Sequence, residues 1–196
     1  MTIQTQSKTI SPIRKRLFTV EEYYKMAEAG ILQDDERVEL LNGEIITMSP
    51  INSPHASVVD DLTEMLFMQL LGKVIIKIQN PIRLEDKTEP EPDITLAHLK
   101  KDKYRNHHPI PAEVYFVIEV ADSSLEKDRE FKRLIYAEAG IPEYWIVNIP
   151  DRQIEVFGQP KDGDYQEQMI AKIGERVASS TTEFVLDVED LLGGFS

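Results

Sequence analysis

Glu39, Asp93, Glu119 and Lys132 stand beside apolar segments in which an unpaired charge is costly. Asp93 follows a proline in Glu91-Pro92-Asp93-Ile94-Thr95-Leu96, and Glu119 ends the apolar run Val114-Tyr115-Phe116-Val117-Ile118. Two carboxylates and a lysine beside a sheet are the raw material of a metal site that cuts phosphodiesters. Mg²⁺ takes oxygen ligands and keeps several waters, so Asp93, Glu119 and the backbone carbonyl of Val120 would suffice as its ligands. The alternative is that both acids are strand-end residues facing water. On a helix, Leu125, Asp128, Lys132, Ile135 and Ala139 share one stripe, with Glu126, Glu130 and Arg133 on the opposite face. Lys132 therefore points toward the core, where it could orient an attacking water and stabilise charge on the phosphate. A salt bridge to Asp128, four residues earlier, is its bland reading. Glu39, in Val38-Glu39-Leu40-Leu41, could support this site, bind a second metal, or form a cross-strand ion pair. His55 reads as a satisfied core histidine or, less simply, as a supporting substrate or proton contact.

These residues need a framework. Thr19 and Glu22 form a capping box that opens a short helix running to about Gly30. Asn42-Gly43 between 38–41 and 44–48 is a hairpin signal, because both turn residues accept positive φ. Ser53-Pro54 reads as the N-cap and first position of a helix over 54–71, with Val58, Leu62, Met65 and Leu66 on one face and Gly72 as its stop. Strands are expected at 74–78, around Ile82 and Leu84, at 94–96, and at 114–120, the most apolar and so central. A helix over 125–139, closed by Gly140, leads to a strand at 144–147, a unit that normally makes a parallel crossover. A hairpin across 158–163 and a helical turn at 188–192 complete the chain. Tyr144 and Trp145 read as core.

Length and composition set limits. A chain of 196 residues can build one substantial core, and residues 17–196 are read as a single domain after a flexible arm at 1–16. The absence of cysteine excludes a disulfide scaffold, a thiol nucleophile and a Cys-based zinc site, and fits a reducing cytoplasm. The polar start lacks the apolar region of a secretory signal, and no run approaches a membrane span. The net charge of −13 counts against a nucleic-acid partner. Against it stands one basic stretch, His98, Lys100, Lys101, Lys103, Arg105, His107 and His108, in which Lys100, Lys101, Lys103 and Arg105 could hold a phosphate backbone; a solvated loop is the alternative. His107-His108 lacks the helical spacing of a zinc pair, and the chain has no Gly-rich phosphate loop, G-x-S-x-G or H-E-x-x-H.

The segments Val38-Glu39-Leu40-Leu41-Asn42-Gly43-Glu44, Ser53-Pro54-His55, Pro92-Asp93, Val117-Ile118-Glu119-Val120, Asp128-Arg129-Glu130-Phe131-Lys132 and Gly140-Ile141-Pro142-Glu143-Tyr144-Trp145-Ile146-Val147 follow in order. This pattern resembles the bacterial Uma-two family of restriction-endonuclease-like proteins, within the PD-(D/E)XK nuclease superfamily, over residues 18–157. The resemblance implies an α/β (α+β) fold, a mixed sheet flanked by helices, and a divalent-metal site. Carried over, Asp93 is the motif's aspartate, Glu119 its acidic partner, and Glu39 the acid of the first segment. The lysine expected two residues after Glu119 is Ala121 here, and Lys132 on the following helix takes its place. The implied function is an Mg²⁺- or Mn²⁺-dependent endonuclease acting on DNA phosphodiesters. A non-catalytic binding or regulatory protein that kept the fold, and hydrolysis of another phosphoester, are the other readings. Nucleases of this superfamily often pair subunits, so a homodimer is expected, with Phe184-Val185-Leu186 and Leu191-Leu192 as contributing apolar segments.

Overall fold

The computed structural model describes residues 14–33 and 35–195. Most of the expected arm at 1–16 lies outside them. Helix α1 (Val20–Glu28) opens on the expected capping box, and strands β1 (Val38–Leu41) and β2 (Glu44–Thr47) form a hairpin. Asn42 and Gly43 turn that hairpin at φ 50° and 78°. Helix α2 (Ser53–Leu70) begins one residue earlier than expected. Its cap is Asn52, whose side chain accepts from the His55 N–H, so Ser53 is already helical.

The central sheet has six strands: β3 (Val74–Ile78), β4 (Ile94–His98), β5 (Val114–Ala121), β6 (Glu143–Asn148), β7 (Gln153–Lys161) and β8 (Asp164–Lys172), in that spatial order. β5 and β6 are parallel and every other neighbouring pair is antiparallel, so the sheet is mixed. The connection between the parallel pair is helical but not uniform. It runs as α3 (Leu125–Lys127), a π turn (Asp128–Lys132) and α4 (Arg133–Glu138). The strand expected around Ile82 and Leu84 does not form. Pro81, Pro90 and Pro92 remove backbone donors from that segment, which keeps only an isolated Glu85–Thr88 bridge and a Leu40–Glu89 bridge.

Strand alternation splits the core in two. On one face Leu96, Phe116, Ile118, Trp145 and Val147 meet Val58, Leu62 and Leu66 of α2. Each fully buried leucine or valine contributes about 1.5–3 kcal/mol, so tertiary burial holds α2 more than propensity does. A short hairpin that the sequence did not announce, β9 (Arg176–Ala178) with β10 (Val185–Asp187), and helix α5 (Val188–Leu192) close the same face. Phe184, Leu186, Leu191 and Leu192 belong to this core and are at most 3% exposed. These four are therefore not available to a partner, and of the segments expected to help pair subunits Val185, 40% exposed, is the residue that presents apolar surface. On the other face Val117, Ala121, Ile146 and Phe157 pack with Tyr136 and Ala137 of α4. Among the described residues no helix is long and apolar enough to cross a membrane.

Candidate active site

Asp93 stands immediately before β4, and the β4–β5 register pairs Ile94 with Ile118, which brings the Asp93 carboxylate to the Glu119–Val120 end of β5. The Val120 N–H donates to Asp93 Oδ2 at 2.9 Å. His55, from the first turn of α2, lies with Nε2 3.1 Å from the same oxygen. Asp93 is the acceptor, so Nε2 carries the proton, while His55 Nδ1 is buried without a partner. Among the described residues Asp93 Oδ1 has only a long 3.4 Å contact from Gln79 Nε2.

Glu119 points to the α4 face together with Val117 and Ala121. One of its oxygens, Oε1, accepts from Lys132 Nζ at 2.9 Å and from the Tyr136 hydroxyl at 2.8 Å. Among the described residues the other, Oε2, accepts no hydrogen bond. Ala121 is fully buried in the apolar layer, so the position two residues after Glu119 is part of the core. Lys132 supplies the cation from the helix instead.

The π turn sets the reach of that helix. Its i→i+5 pattern brings Lys127 and Lys132 onto one carboxylate. Lys127 Nζ lies 3.2 Å from Glu39 Oε1 and Lys132 Nζ 3.1 Å from Glu39 Oε2. Glu39 Oε2 also accepts the Glu91 N–H at 3.2 Å. The bland alternative for Lys132, an ion pair with Asp128, does not form among the described residues; Asp128 accepts the Ser124 hydroxyl at 2.6 Å. Lys132 has two of its three donors on Glu119 and Glu39, which leaves one.

Burial and crowding set the protonation of the cluster. Burial pushes Glu119 up to about 8, helped by the carboxylates of Asp128, Asp93 and Glu39 and opposed by Lys132. Burial likewise raises Asp128. Burial would raise Asp93 too, but the His55 hydrogen bond and charge and the Val120 N–H hold it below the usual range. Glu39 is lowered because Lys132 and Lys127 outweigh its burial. Burial opposes the charge of Lys132, yet Glu119 and Glu39 raise it above an ordinary lysine.

Asp93, Glu119, Val120, His55 and Lys132 line one cavity of about 60 Å³, room for a cation with a few waters. Among the described residues no three His, Asp or Glu side chains converge tightly enough to hold a metal by themselves. The donor set that fits is two carboxylates with an oxygen each to spare and a backbone carbonyl: oxygen-only, hard, and suited to Mg²⁺ or Mn²⁺ rather than zinc. Glu39 is not on the cavity wall but behind Lys132. The group sits at one end of the inner β4–β5 pair, not along a lateral edge strand.

Lys100, Lys101, Lys103 and Arg105 are not brought to this cavity. They lie in the connection that leaves β4 after His98, at the other end of the strand from Asp93. Within it Lys100 pairs with Glu113 and covers the Tyr104 ring at 4.9 Å, and Tyr104 donates to the His98 carbonyl at 2.9 Å. Sequence reading missed Lys127, Tyr136 and Arg37. Lys127 falls off the 3.6-residue stripe and meets Glu39 through the π turn, for which hydrophobic spacing gives no signal.

The Uma2 (Uma-two) family model, described as "Putative restriction endonuclease", matches residues 20–189. A crystal structure of a putative nuclease of DUF820 from Anabaena variabilis ATCC 29413 is similar at TM-score 0.68 and 15% identity, covering 90% of this chain and 98% of that one. This shows a shared, restriction-endonuclease-like fold. The type IIG restriction endonuclease BpuSI is a distant match at TM-score 0.43 and 17% identity, covering 76% of this chain and 17% of that one. No curated protein matches.

Proposed function

The chain belongs to the Uma2 family, and from that premise we propose that it is an endonuclease that hydrolyses DNA phosphodiesters with a divalent metal, Mg²⁺ or Mn²⁺. The observation that carries the reading is that Asp93 and Glu119, each with one oxygen that lacks a short hydrogen bond among the described residues, line one cavity together with Val120. Asp93, Glu119 and the Val120 carbonyl would hold the ion. There it would lower the pKa of a bound water and offset charge on the phosphate. Lys132 directs its remaining donor to the attacking water or a phosphate oxygen, while Glu39 and Glu119 fix its position. His55 and the Val120 N–H hold Asp93 Oδ2 and so set the orientation of the carboxylate that would bind the metal. Tyr136 holds Glu119 Oε1, which leaves Oε2 for the metal.

The test is Mn²⁺-dependent nicking of varied DNA substrates that survives further purification and stops with EDTA. A protein that binds Mn²⁺, gains thermal stability from it and cuts no DNA would defeat the nuclease reading. It would favour the second reading, a non-catalytic protein that kept the fold, which the net charge of −13 supports. With this function go a single folded unit over residues 17–196, a cytoplasmic setting, and a homodimer whose contact lies outside the buried C-terminal segments. Light scattering at micromolar concentration tests the dimer, and a monomeric mass would remove it.

A further inference from the structure

The 60 Å³ cavity has a wider neighbour. It shares Ser49, Ser123, Ser124 and Lys127 with a wider groove of about 450 Å³, which continues along the helix to Glu126, Glu130 and Phe131. The charge along this passage is graded. At the inner end two cations reach solvent: Lys127, with 28% of its side chain exposed, and Arg37, with 34%. Both are more open than Lys132, whose side chain is 3% exposed between two carboxylates. Arg37 makes a loose 3.8 Å pairing with Glu91 and a long 3.4 Å hydrogen bond to the Ser49 carbonyl, and Lys127 shares Glu39 with Lys132. The outer end carries two exposed carboxylates, Glu126 and Glu130, and a ring, Phe131, that stays 39% exposed.

We propose that this groove takes a single strand of DNA, with one backbone phosphate held by Arg37 and Lys127 and a neighbouring base stacked on Phe131. The proposal rests on the nuclease reading above and names the substrate form within it. A duplex lying in the groove would press its continuous rows of phosphates against Glu126 and Glu130, a repulsion that Lys127, among the described residues the one cation lining the groove, relieves only at the inner end. A single strand needs cationic contact only at the phosphate beside the acids, and its bases are free to turn toward an aromatic face. Asp93 and Glu119, at most 9% exposed, are also recessed, which suits a strand that can be threaded rather than one held in a helix.

The test uses the full chain and fluorescence anisotropy with a labelled 12-mer, single-stranded or annealed to its complement, in Ca²⁺ to hold cleavage back. The single strand should bind at least tenfold more tightly than the duplex. Phe131→Ala should weaken single-strand binding by on the order of tenfold with the salt slope unchanged, because stacking carries no counterions. Arg37→Ala and Lys127→Ala should weaken it and each flatten the slope by up to about one. All three side chains reach solvent, and circular dichroism melts confirm that the variants fold. If the duplex binds as well as the single strand, or Phe131→Ala binds like wild type, the single-strand proposal fails while the nuclease reading stands. If neither DNA binds at any salt, both fall.

Discussion

Glu119 and Glu155 occupy one row of the sheet. Glu119 on β5 registers with Ile146 on β6, and Ile146 with Glu155 on β7. Paired residues share a face, so both carboxylates point to the α3–α4 layer, and both are nearly inaccessible at 4% and 1% exposure. Each meets a cation from the same π turn, three residues apart: Lys132 and Arg129. There the likeness ends. Both oxygens of Glu155 are bonded: Arg129 grips it bidentately, and Oε1 also accepts from Asn148 Nδ2 at 3.0 Å and Gln153 Nε2 at 3.2 Å. Burial would raise Glu155, but these donors hold it below the usual carboxylate range. Glu119 keeps one oxygen unbonded among the described residues and is pushed well above that range. Glu155, bonded on both oxygens, reads as structure, and the spare oxygen of Glu119 is what the proposed metal site would use.

The largest effects should separate these two acids. Glu119→Ala and Asp93→Ala each remove an oxygen ligand and should abolish Mn²⁺ binding by calorimetry together with cleavage. Lys132→Ala should spare metal binding and lower cleavage by on the order of 10²–10³-fold. Glu155→Gln should change neither by more than about twofold, because its row position lies outside the cavity. Loss of metal binding in Glu155→Gln would break the comparison. A Lys132→Ala enzyme that cuts like wild type would end the role given to the relocated lysine, though not the nuclease assignment.

Metal-free stability should reverse the ranking. Glu155→Gln leaves Arg129 without its bidentate partner and should cost about 1–3 kcal/mol in urea unfolding. Glu119→Gln keeps the shape and relieves crowding by Asp128, Asp93 and Glu39 while Lys132 keeps Glu39, so it should be neutral or stabilising within about 1 kcal/mol. If Glu119→Gln is the more damaging change, its spare oxygen is structural after all.

Much of this contrast could be read in the sequence, and the rest could not for definable reasons. The Asn42-Gly43 turn, the apolar run that leads into Glu119 on β5, and the inward stripe carrying Lys132 are local signals, and each matched its element. The π turn is not local: it inserts a spacing that 3.6-residue periodicity cannot express, so Lys127 went unseen. Glu155 stood in plain alternation among Ile154, Val156 and Phe157, but its burial depends on Arg129 from a distant helix and on the sheet register. The β9–β10 hairpin is short, three residues a side, and its Phe184 and Leu186 resembled exposed apolar surface until α5 folded over that face.

A smaller effect follows from pH. The folded pKa of Glu155 is lowered, so its stabilisation is fully present above the unfolded carboxylate value of about 4.3 and is lost as pH falls through the depressed folded value. Wild type should therefore lose stability below about pH 4.3 more steeply than Glu155→Gln, and the two curves should converge in acid. Parallel curves from neutral pH downward would show that Arg129 contributes packing and not charge.

The smallest effect is expected in the basic connection after β4, where another acid plays the part of Glu155 at the surface. Glu113 takes Lys100 and His107, 3.3 Å away, and accepts the Ile110 N–H at 3.2 Å; burial would raise it, but these partners hold its carboxyl below the usual range. Lys100 is thus already neutralised within the protein, while Lys101, Lys103 and Arg105 are exposed and free of ion pairs among the described residues. Neutralising Lys101, Lys103 and Arg105 together should weaken DNA binding by no more than about tenfold, flatten its salt dependence, and leave the rate of the chemical step unchanged, because the loop lies at the far end of β4 from Asp93. Lys100→Ala alone should act differently. It removes one positive charge, as Lys101→Ala does, but also leaves the Glu113 carboxylate without its lysine partner, so its effect on affinity should exceed that of Lys101→Ala. Anisotropy titrations at two salt concentrations measure both. Equal effects from Lys100 and Lys101 would mean that the Lys100–Glu113 pair opens when DNA arrives, and that saturation at the surface, unlike saturation of Glu155 in the core, does not fix a charge in place.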